Sequence, residues 1–587
     1  MDFPEPITPV DLNTETQEAV RRASEETHDP RADRWDSEVQ SDSVDKQLKQ
    51  LVHYLQESVG RGYVVPDALI DPEFSATALR PPAMDIAYRD ESTEVRRSAE
   101  PLSGSGERVQ QGTNGFFNVM ATLTEPYLDS QDVHFSIKTF RIESEQAETA
   151  RTRHHFSAFG RTGEGSLEQH ATWHCEWAWS GDERPLLRSI DLADYEEAHS
   201  NASQGTWFSD CTKAVLAAND SFHRQLQFGL GHWLKQIERV HLMDTYGMYG
   251  MAVGDVNGDG LDDVYVCQPG GLPNRLYVQN PDGTATDRSA WAGVDWLDHT
   301  GSALLVDLDN DGDQDLAVAT YPQILIQLND STGRFTPGTV LPLRDFDPHS
   351  FSAVDYDNDG DLDLYLCVEL ATTEPEPGEV RPPFAYHDAN DGGANVLYRS
   401  LLAEGRLAFE DVTEAVGLDV NNRRHSLAAA WEDFDNDGDQ DLYVGNDYGK
   451  NCLYRNDGGR FVDIAEESGV LDQASGMSVS WGDADRDGRM DLCVANMYSY
   501  AGSRITRQEM FQPNDEDSIR SVYQRFAKGN SLFRNRGGDR FEEVSAEAAV
   551  EMGRWAWSSL FADINNDGWE DLVVVNGYIS SPDTADL

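Results

Sequence analysis

The sequence predicts a mainly β protein: a calcium-binding β-propeller preceded by a smaller α+β domain with an antiparallel sheet. Three observations predict it. One acidic nine-residue motif recurs six times between residues 255 and 571, with a period near 50. Each copy is followed by a short apolar run of strand length. Ahead of the repeats, residues 116–194 alternate apolar and polar as half-buried strands do.

The motif reads D-x-[DN]-x-D-G-x-x-D. Its copies are DVNGDGLDD, DLDNDGDQD, DYDNDGDLD, DFDNDGDQD, DADRDGRMD and DINNDGWED, and their starts lie 52, 48, 78, 50 and 80 residues apart. Calcium takes about 6–8 hard oxygen ligands, and side chains on alternate residues of a tight loop converge on one point. Positions 1, 3, 5 and 9 supply those oxygens, with the carbonyl of position 7. The candidate metal ligands are therefore Asp255, Asn257, Asp259 and Asp263; Asp307, Asp309, Asp311 and Asp315; Asp355, Asp357, Asp359 and Asp363; Asp433, Asp435, Asp437 and Asp441; Asp483, Asp485, Asp487 and Asp491; and Asp563, Asn565, Asp567 and Asp571. Glycine at position 6 permits the chain reversal.

An EF-hand would place a bidentate Glu at position 12 between flanking helices. Here position 12 is Val266, Val318, Leu366, Val444, Val494 and Val574, inside apolar runs such as Val264–Cys267 and Leu364–Cys367. The loop therefore joins two strands.

Charge agrees. The chain carries 105 acidic and 46 basic residues, net −59. The six loops hold 27 acids and two arginines, Arg486 and Arg489, and so account for −25 of it. About six Ca²⁺ ions would neutralise much of that cluster, which would otherwise oppose folding. So acidic a surface excludes nucleic acid as a partner. No apolar run approaches the roughly 20 residues of a membrane span, so membrane insertion is not expected. The N-terminus shows no signal-peptide pattern.

A second pattern falls between the loops: a Leu-aromatic strand, a Gly turn, then Phe-x-x-Val, as in NCLYRNDGGRFVDI and SLFRNRGGDRFEEV, with NRLYVQN and NVLYRS as further copies of its first half. Each repeat thus offers four antiparallel strands, a propeller blade. Five units are complete, and the sixth stops after Asp571–Gly577. The expectation is seven blades when complete, six or fewer formed by this chain, with truncation at its C-terminus. The strand-like Gln236–Val240 is expected to close the ring.

These residues resemble the FG-GAP/VCBS repeat, whose fold is the integrin-α-type propeller with calcium in its hairpin loops. The segments NCLYRNDGGRFVDIAEESGV and NSLFRNRGGDRFEEVSAEAAV are similar, more narrowly, to the bacterial branch related to cartilage acidic protein, which often carries an ASPIC/UnbV domain. The resemblance spans about Met248 to Gly577 and implies an extracytoplasmic (periplasmic, cell-surface or secreted) calcium-binding protein. It supplies no ligand. An ASPIC/UnbV segment is absent from this sequence.

Four regions follow: a disordered acidic segment at 1–40, an α+β domain at 41–200, a helical connector with the closing strand at 201–246, and the propeller at 247–587. Val44, Leu48, Leu51, Leu55 and Val59 have helical spacing over Ser43–Val59. Val133, Phe135 and Ile137 share one strand face; Leu167, Ala171, Trp173, Cys175, Trp177 and Trp179 share another. Such a sheet with one helix suits an NTF2-like fold. The opposite face of the Trp-rich strand carries Glu168, His170, Thr172, His174 and Glu176, with His154 and His155 nearby. It reads as a solvated face ahead of a His/Glu metal site. Phe208–Ile237 reads as helical.

For function, the sequence favours a non-catalytic module that presents a loop face to a protein, carbohydrate or anionic ligand. The alternative is a propeller-fold hydrolase cleaving phosphoesters or glycans on that same face, although no G-x-S-x-G or H-E-x-x-H motif is present. The long insertions, 369–394 and 497–530, join second to third strands, so they leave the blades opposite the calcium loops. With the links between blades they place Arg423, Arg424, His425, Arg504, Arg507, Arg554 and Trp555 on that end, a candidate basic, aromatic-bearing ligand patch. The six cysteines are expected free and buried.

Overall fold

The computed structural model describes the chain apart from residues 1–34, 60–68, 103, 105–106, 129, 131, 147, 164, 180–183, 202–207, 238–248, 321, 372–386 and 578–587. The described residues form two compact units. One comprises those up to Phe208 together with Tyr500–Pro513; the other comprises Ser209–Ser499 and those from Asn514 onward.

In the first unit, helix α1 (Asp36–Ser58) buries Val44, Leu48, Leu51 and Leu55 as its spacing requires. It begins seven residues before the predicted Ser43, inside the segment expected to be disordered. The reason is long-range: Glu38 accepts bonds from Arg504 Nε and Nη2 at 3.1 and 3.0 Å and from Gln508 Nε2 at 2.6 Å. Acids in the first turn also suit the helix dipole.

The strands are β1 (Ile70–Ala76), β2 (Met84–Arg89), β3 (Thr93–Ser98), β4 (Gln110–Gln111), β5 (His134–Gln146), β6 (Thr149–Thr162), β7 (Gly165–Trp179) and β8 (Pro185–Asn201), with helix α2 (Gly112–Thr124) after β4. The main sheet runs β2-β3-β8-β7-β6-β5, and β1 joins β8 in parallel. Its inner face carries Leu167, Ala171, Trp173, Cys175 and Trp177, all buried, with Trp173 stacked on Phe156 at 4.6 Å between ring centroids.

The anticipated polar face is split. Glu168 and His170 are exposed and bonded to each other at 2.9 Å, while Glu176 lies near Arg108 and Arg151. His154 instead points into the core, between the hydroxyls of Thr139 (3.1 Å) and Thr152 (2.6 Å), and burial drives its pKa down to about 3.

The second unit is a run of small antiparallel sheets. Five are four-stranded meanders, with first strands Met251–Gly254, Thr300–Val306, Phe346–Val354, Ser426–Glu432 and Gly476–Gly482; a two-stranded hairpin, Ala556–Ala562 with Asp571–Asn576, follows. First strands of consecutive sheets pack against one another in turn. The second strands bury both faces, as their unbroken apolar runs require: Asp315–Thr320, Asp441–Asn446 and Asp491–Asn496 are buried throughout. Short helices at Thr212–Leu216, Phe222–Leu226 and Leu230–Trp233 precede the sheets. Gln236 and Ile237 continue that helical stretch as turn and bend, and the rest of the expected closing strand lies outside the described residues.

The expectation for cysteines needs one correction. All six are free, but Cys211 is exposed, at the start of a short helix that no core covers. The other five are buried, and burial raises their thiol pKa values, to about 12 for Cys452 and Cys493. A thiol reagent should therefore modify one cysteine in the native protein, and six after denaturation without reductant. Four or fewer in the denatured protein would mean disulfides.

Candidate metal centre

Every acidic motif lies between the first and second strands of its sheet, and all six share one hydrogen-bonding scheme. The position 1 carboxylate accepts the backbone N–H groups of positions 5 and 6. In the third loop Asp355 accepts them from Asp359 and Gly360, both at 3.0 Å; in the fifth Asp483 accepts them from Asp487 and Gly488, both at 2.9 Å. Position 5 in turn accepts from the N–H of position 7, as Asp359 does from Asp361 at 3.1 Å. The backbone thus fixes the aim of the carboxylates.

This winding needs left-handed backbone twice. Position 6 is always glycine, with φ between 81° and 97°. Position 4 is also left-handed: Gly258, Asn310, Asn358, Asn436, Arg486 and Asn566 have φ between 57° and 70°. The Asn and Gly preference there was a visible signal of αL backbone that motif reading passed over. Two of these side chains do more: Asn310 donates to Asp361 and Asn358 to Asp439, each 3.0 Å, tying a loop to the next.

Position 9 is a buried staple. Asp263, Asp315, Asp363, Asp441 and Asp491 are each at most 2% exposed. One oxygen accepts the N–H of position 2, as from Val256 and Leu308, both at 3.0 Å. The other accepts an N–H of the third strand: Gln279, Asn329, Ser400, Asn456 and Asn535 donate at 2.7–2.9 Å. Burial pushes these carboxyls up, to about 6 in Asp315 and Asp491, about 7 in Asp363 and about 8 in Asp441; nearby loop aspartates add to the shift.

The donor set fits a hard cation. Asp307, Asp309 and Asp311, Asp355, Asp357 and Asp359, and Asp483, Asp485 and Asp487 each bring three carboxylate oxygens within 4.8 Å of one another; Asp433, Asp435 and Asp441 do likewise. At position 3, one oxygen each of Asp309, Asp357 and Asp485 is buried with no hydrogen-bond donor. Burial, with the neighbouring aspartates, raises the pKa values of Asp309 and Asp357. In the first and sixth loops the position 3 amides, Asn257 and Asn565, instead donate to position 5, at 3.1 and 3.0 Å. Where position 3 is an amide, no carboxylate is left bare.

Of the seven residues expected to form a ligand patch, four of the basic ones have an acidic partner. Arg504 and Arg507 belong to the first unit, the other five to the second. Arg504 is the partner of Glu38. Arg423 lies 3.5 Å from Asp345, Arg424 is nearly buried against Asp388, and His425 is 3.2 Å from Asp391. Arg554 is exposed, with φ 55°, and Trp555 is half-buried. The basic character anticipated there is largely neutralised pair by pair, by acids that lie far away in sequence.

The family model for the FG-GAP-like repeat matches residues 255–318, 307–366, 433–494 and 520–574. No curated protein matches the sequence at a significant level. Among solved structures, one of an Agrocybe aegerita protein that specifically recognises non-reducing terminal N-acetylglucosamine is 15% identical, with a TM-score of 0.33, over 56% of this chain and 74% of that one. A Lactobacillus plantarum protein is 10% identical, with a TM-score of 0.27, over 70% and 95%. Kfla4162 from Kribbella flavida is 9% identical, with a TM-score of 0.19, over 27% and 91%. Likenesses this distant assign neither fold nor ligand.

Proposed function

We propose that these FG-GAP-like repeats are blades of a calcium-loaded β-propeller that binds a ligand rather than transforming it. The bare position 3 carboxylate oxygens carry this reading. A buried acceptor without a donor costs about 1–3 kcal/mol, more when charged, and here the same oxygen recurs in three loops beside like charges. A bound cation removes that cost. The succession of sheets packed through their first strands supports blades around an axis.

Calcium stiffens one end of each meander. Second-to-third strand connections leave from the other end, where both long insertions fall, and that end is the one offered to a protein, carbohydrate or anionic ligand. The reading puts the protein outside the cytoplasm, where calcium is plentiful enough to fill six or so modest sites with Kd about 10⁻⁴–10⁻³ M, the range of extracellular modules. No helix among the described residues is long and apolar enough to cross a membrane.

Asp357→Asn tests the reading by a change of sign. In chelator, the variant replaces a half-buried carboxylate that has one buried, undonated oxygen, and should melt at or above the parent. In saturating calcium it should melt below the parent, with calcium affinity reduced at the third loop. A variant that melts lower under both conditions would show that Asp357 serves the fold and not an ion.

A further inference from the structure

We infer that calcium binding at the second, third and fourth acidic loops is cooperative, through an amide bridge between neighbouring loops that is interrupted on both sides of this group. The inference rests on the calcium reading above and adds to it a rule for how one site affects the next.

The bridge runs from position 4 of one loop to positions 6 and 7 of the next. In the second loop Asn310 Nδ2 donates to Asp361 Oδ1 at 3.0 Å and to the Gly360 carbonyl at 3.3 Å, both in the third. In the third, Asn358 Nδ2 does the same to the fourth, with Asp439 Oδ1 at 3.0 Å and the Gly438 carbonyl at 3.5 Å. An amide nitrogen carries two hydrogens, so both bonds form together. The receiving carboxylates are braced from their own sheets. The other oxygen of Asp439 accepts the Gly458 N–H at 2.8 Å, and that of Asp361 accepts the Ala403 N–H.

The loops that break the pattern show what the bridge supplies. Position 4 of the first loop is Gly258, which has no side chain to give. Asp313, at position 7 of the second loop, still accepts the Ser331 hydroxyl on Oδ2 at 2.7 Å, but its Oδ1 is buried with no donor among the described residues. Between the fourth and fifth loops the failure is on the other side. Asn436 stands at position 4, but position 7 of the fifth loop is Arg489, which has no acceptor and itself donates to the Asn535 carbonyl at 3.0 Å. The fifth and sixth loops meet by other chemistry, with Arg486 over the Trp569 ring at 5.0 Å.

Coupling follows from where position 4 lies. It stands between the ligands at positions 3 and 5, in left-handed backbone, with φ 60° at Asn310 and 57° at Asn358. Holding positions 3 and 5 on an ion fixes that backbone, and with it the amide. The amide then holds positions 6 and 7 of the next loop, and position 7 is already tied to the position 5 ligand: Asp361 N–H donates to Asp359 at 3.1 Å and Asp439 N–H to Asp437 at 2.9 Å. Filling one loop thus spares the next part of its ordering cost, and by linkage the effect is reciprocal. Repulsion between bound ions opposes this, but it is not confined to these three loops and weakens in salt.

The test is hydrogen exchange of the full chain, read peptide by peptide across a calcium titration in about 0.3 M salt, which gives each loop its own midpoint. The second to fourth loops should gain protection together, and more steeply than one-site binding allows. Asn358→Gly keeps the left-handed backbone, as Gly258 does at the same position, and removes the bridging amide. It should raise the fourth loop's midpoint by about 2- to 10-fold and leave the sixth loop's in place. Gly258→Asn should build the missing bridge, since a Cβ there meets nothing within 4 Å, and so lower the second loop's midpoint. One-site curves in the second to fourth loops, a fourth-loop shift in Asn358→Gly no larger than the sixth-loop shift, or an unmoved second loop in Gly258→Asn would overturn the coupling and leave the calcium reading standing. No calcium-dependent protection in any loop would overturn both.

Discussion

Chelating calcium is expected to lower the melting temperature of the second unit by about 10 °C or more. A site filled at 100 times its Kd adds about 2.7 kcal/mol, and sites within one cooperative unit add together. The loops supply the cause: carboxylates crowded within 4.8 Å, some with buried, undonated oxygens. The difference should grow with pH. Without metal, Asp315, Asp363, Asp441 and Asp491 hold protons more tightly folded than unfolded, with folded pKa values of about 6, 7, 8 and 6 against an ordinary 3.8. The folded apo state therefore binds more protons, and its stability falls as pH rises from about 4 through 8. On the proposed reading calcium would replace those protons, so scanning calorimetry should show a wider gap at pH 8 than at pH 5.5. A melt indifferent to chelator at both pH values would rule out these loops as calcium sites.

Asp441→Ala should be the most damaging loop substitution, costing about 2–5 kcal/mol even in chelator. The side chain is fully buried, and its two oxygens accept the N–H groups of Phe434 and Asn456, at 3.3 and 2.7 Å. Without it both donors are stranded where water cannot reach. Asp435→Ala is the control: that residue is half-buried at position 3, and burial with neighbouring acids raises its pKa. In chelator its loss should cost little or raise stability, and in calcium both variants should suffer. Urea unfolding separates the two roles. Equal effects in chelator would mean that position 9 is no staple.

What could be read in the sequence was whatever repeats or alternates locally. Six motifs with valine or leucine at position 12 marked strand–loop–strand hairpins, and the structure shows one at each motif. The second pattern, complete in two copies and half-present in two more, led with the motif spacing to five complete units and a shortened sixth, and the described residues form five four-stranded meanders and a two-stranded hairpin. The Leu167–Trp179 alternation gave the buried face of β7.

What could not be read depends on partners distant in sequence. The first turn of α1 is polar and looks loose, but it is held by Arg504 and Gln508, more than 460 residues away. Arg504 looked available for ligand on the same ignorance of Glu38. His154 follows a run of Arg, Thr and Arg, which reads as a solvent face, yet its parity along β6 puts it inside. The second role of position 9 could not be read either, because composition cannot show that both oxygens of such a carboxylate also accept backbone N–H groups.

The most direct test of the calcium reading is a count of ions. The protein is stripped with chelator, dialysed to equilibrium against millimolar calcium, and its bound calcium measured by elemental analysis against the dialysate. Six motifs predict about six ions per chain at calcium well above the Kd; near the Kd, where about three are bound, Asp357→Asn should hold up to about half an ion less. Calcium no higher inside the dialysis membrane than outside, once the charge of the protein is corrected for with a matched acidic control, would contradict the account.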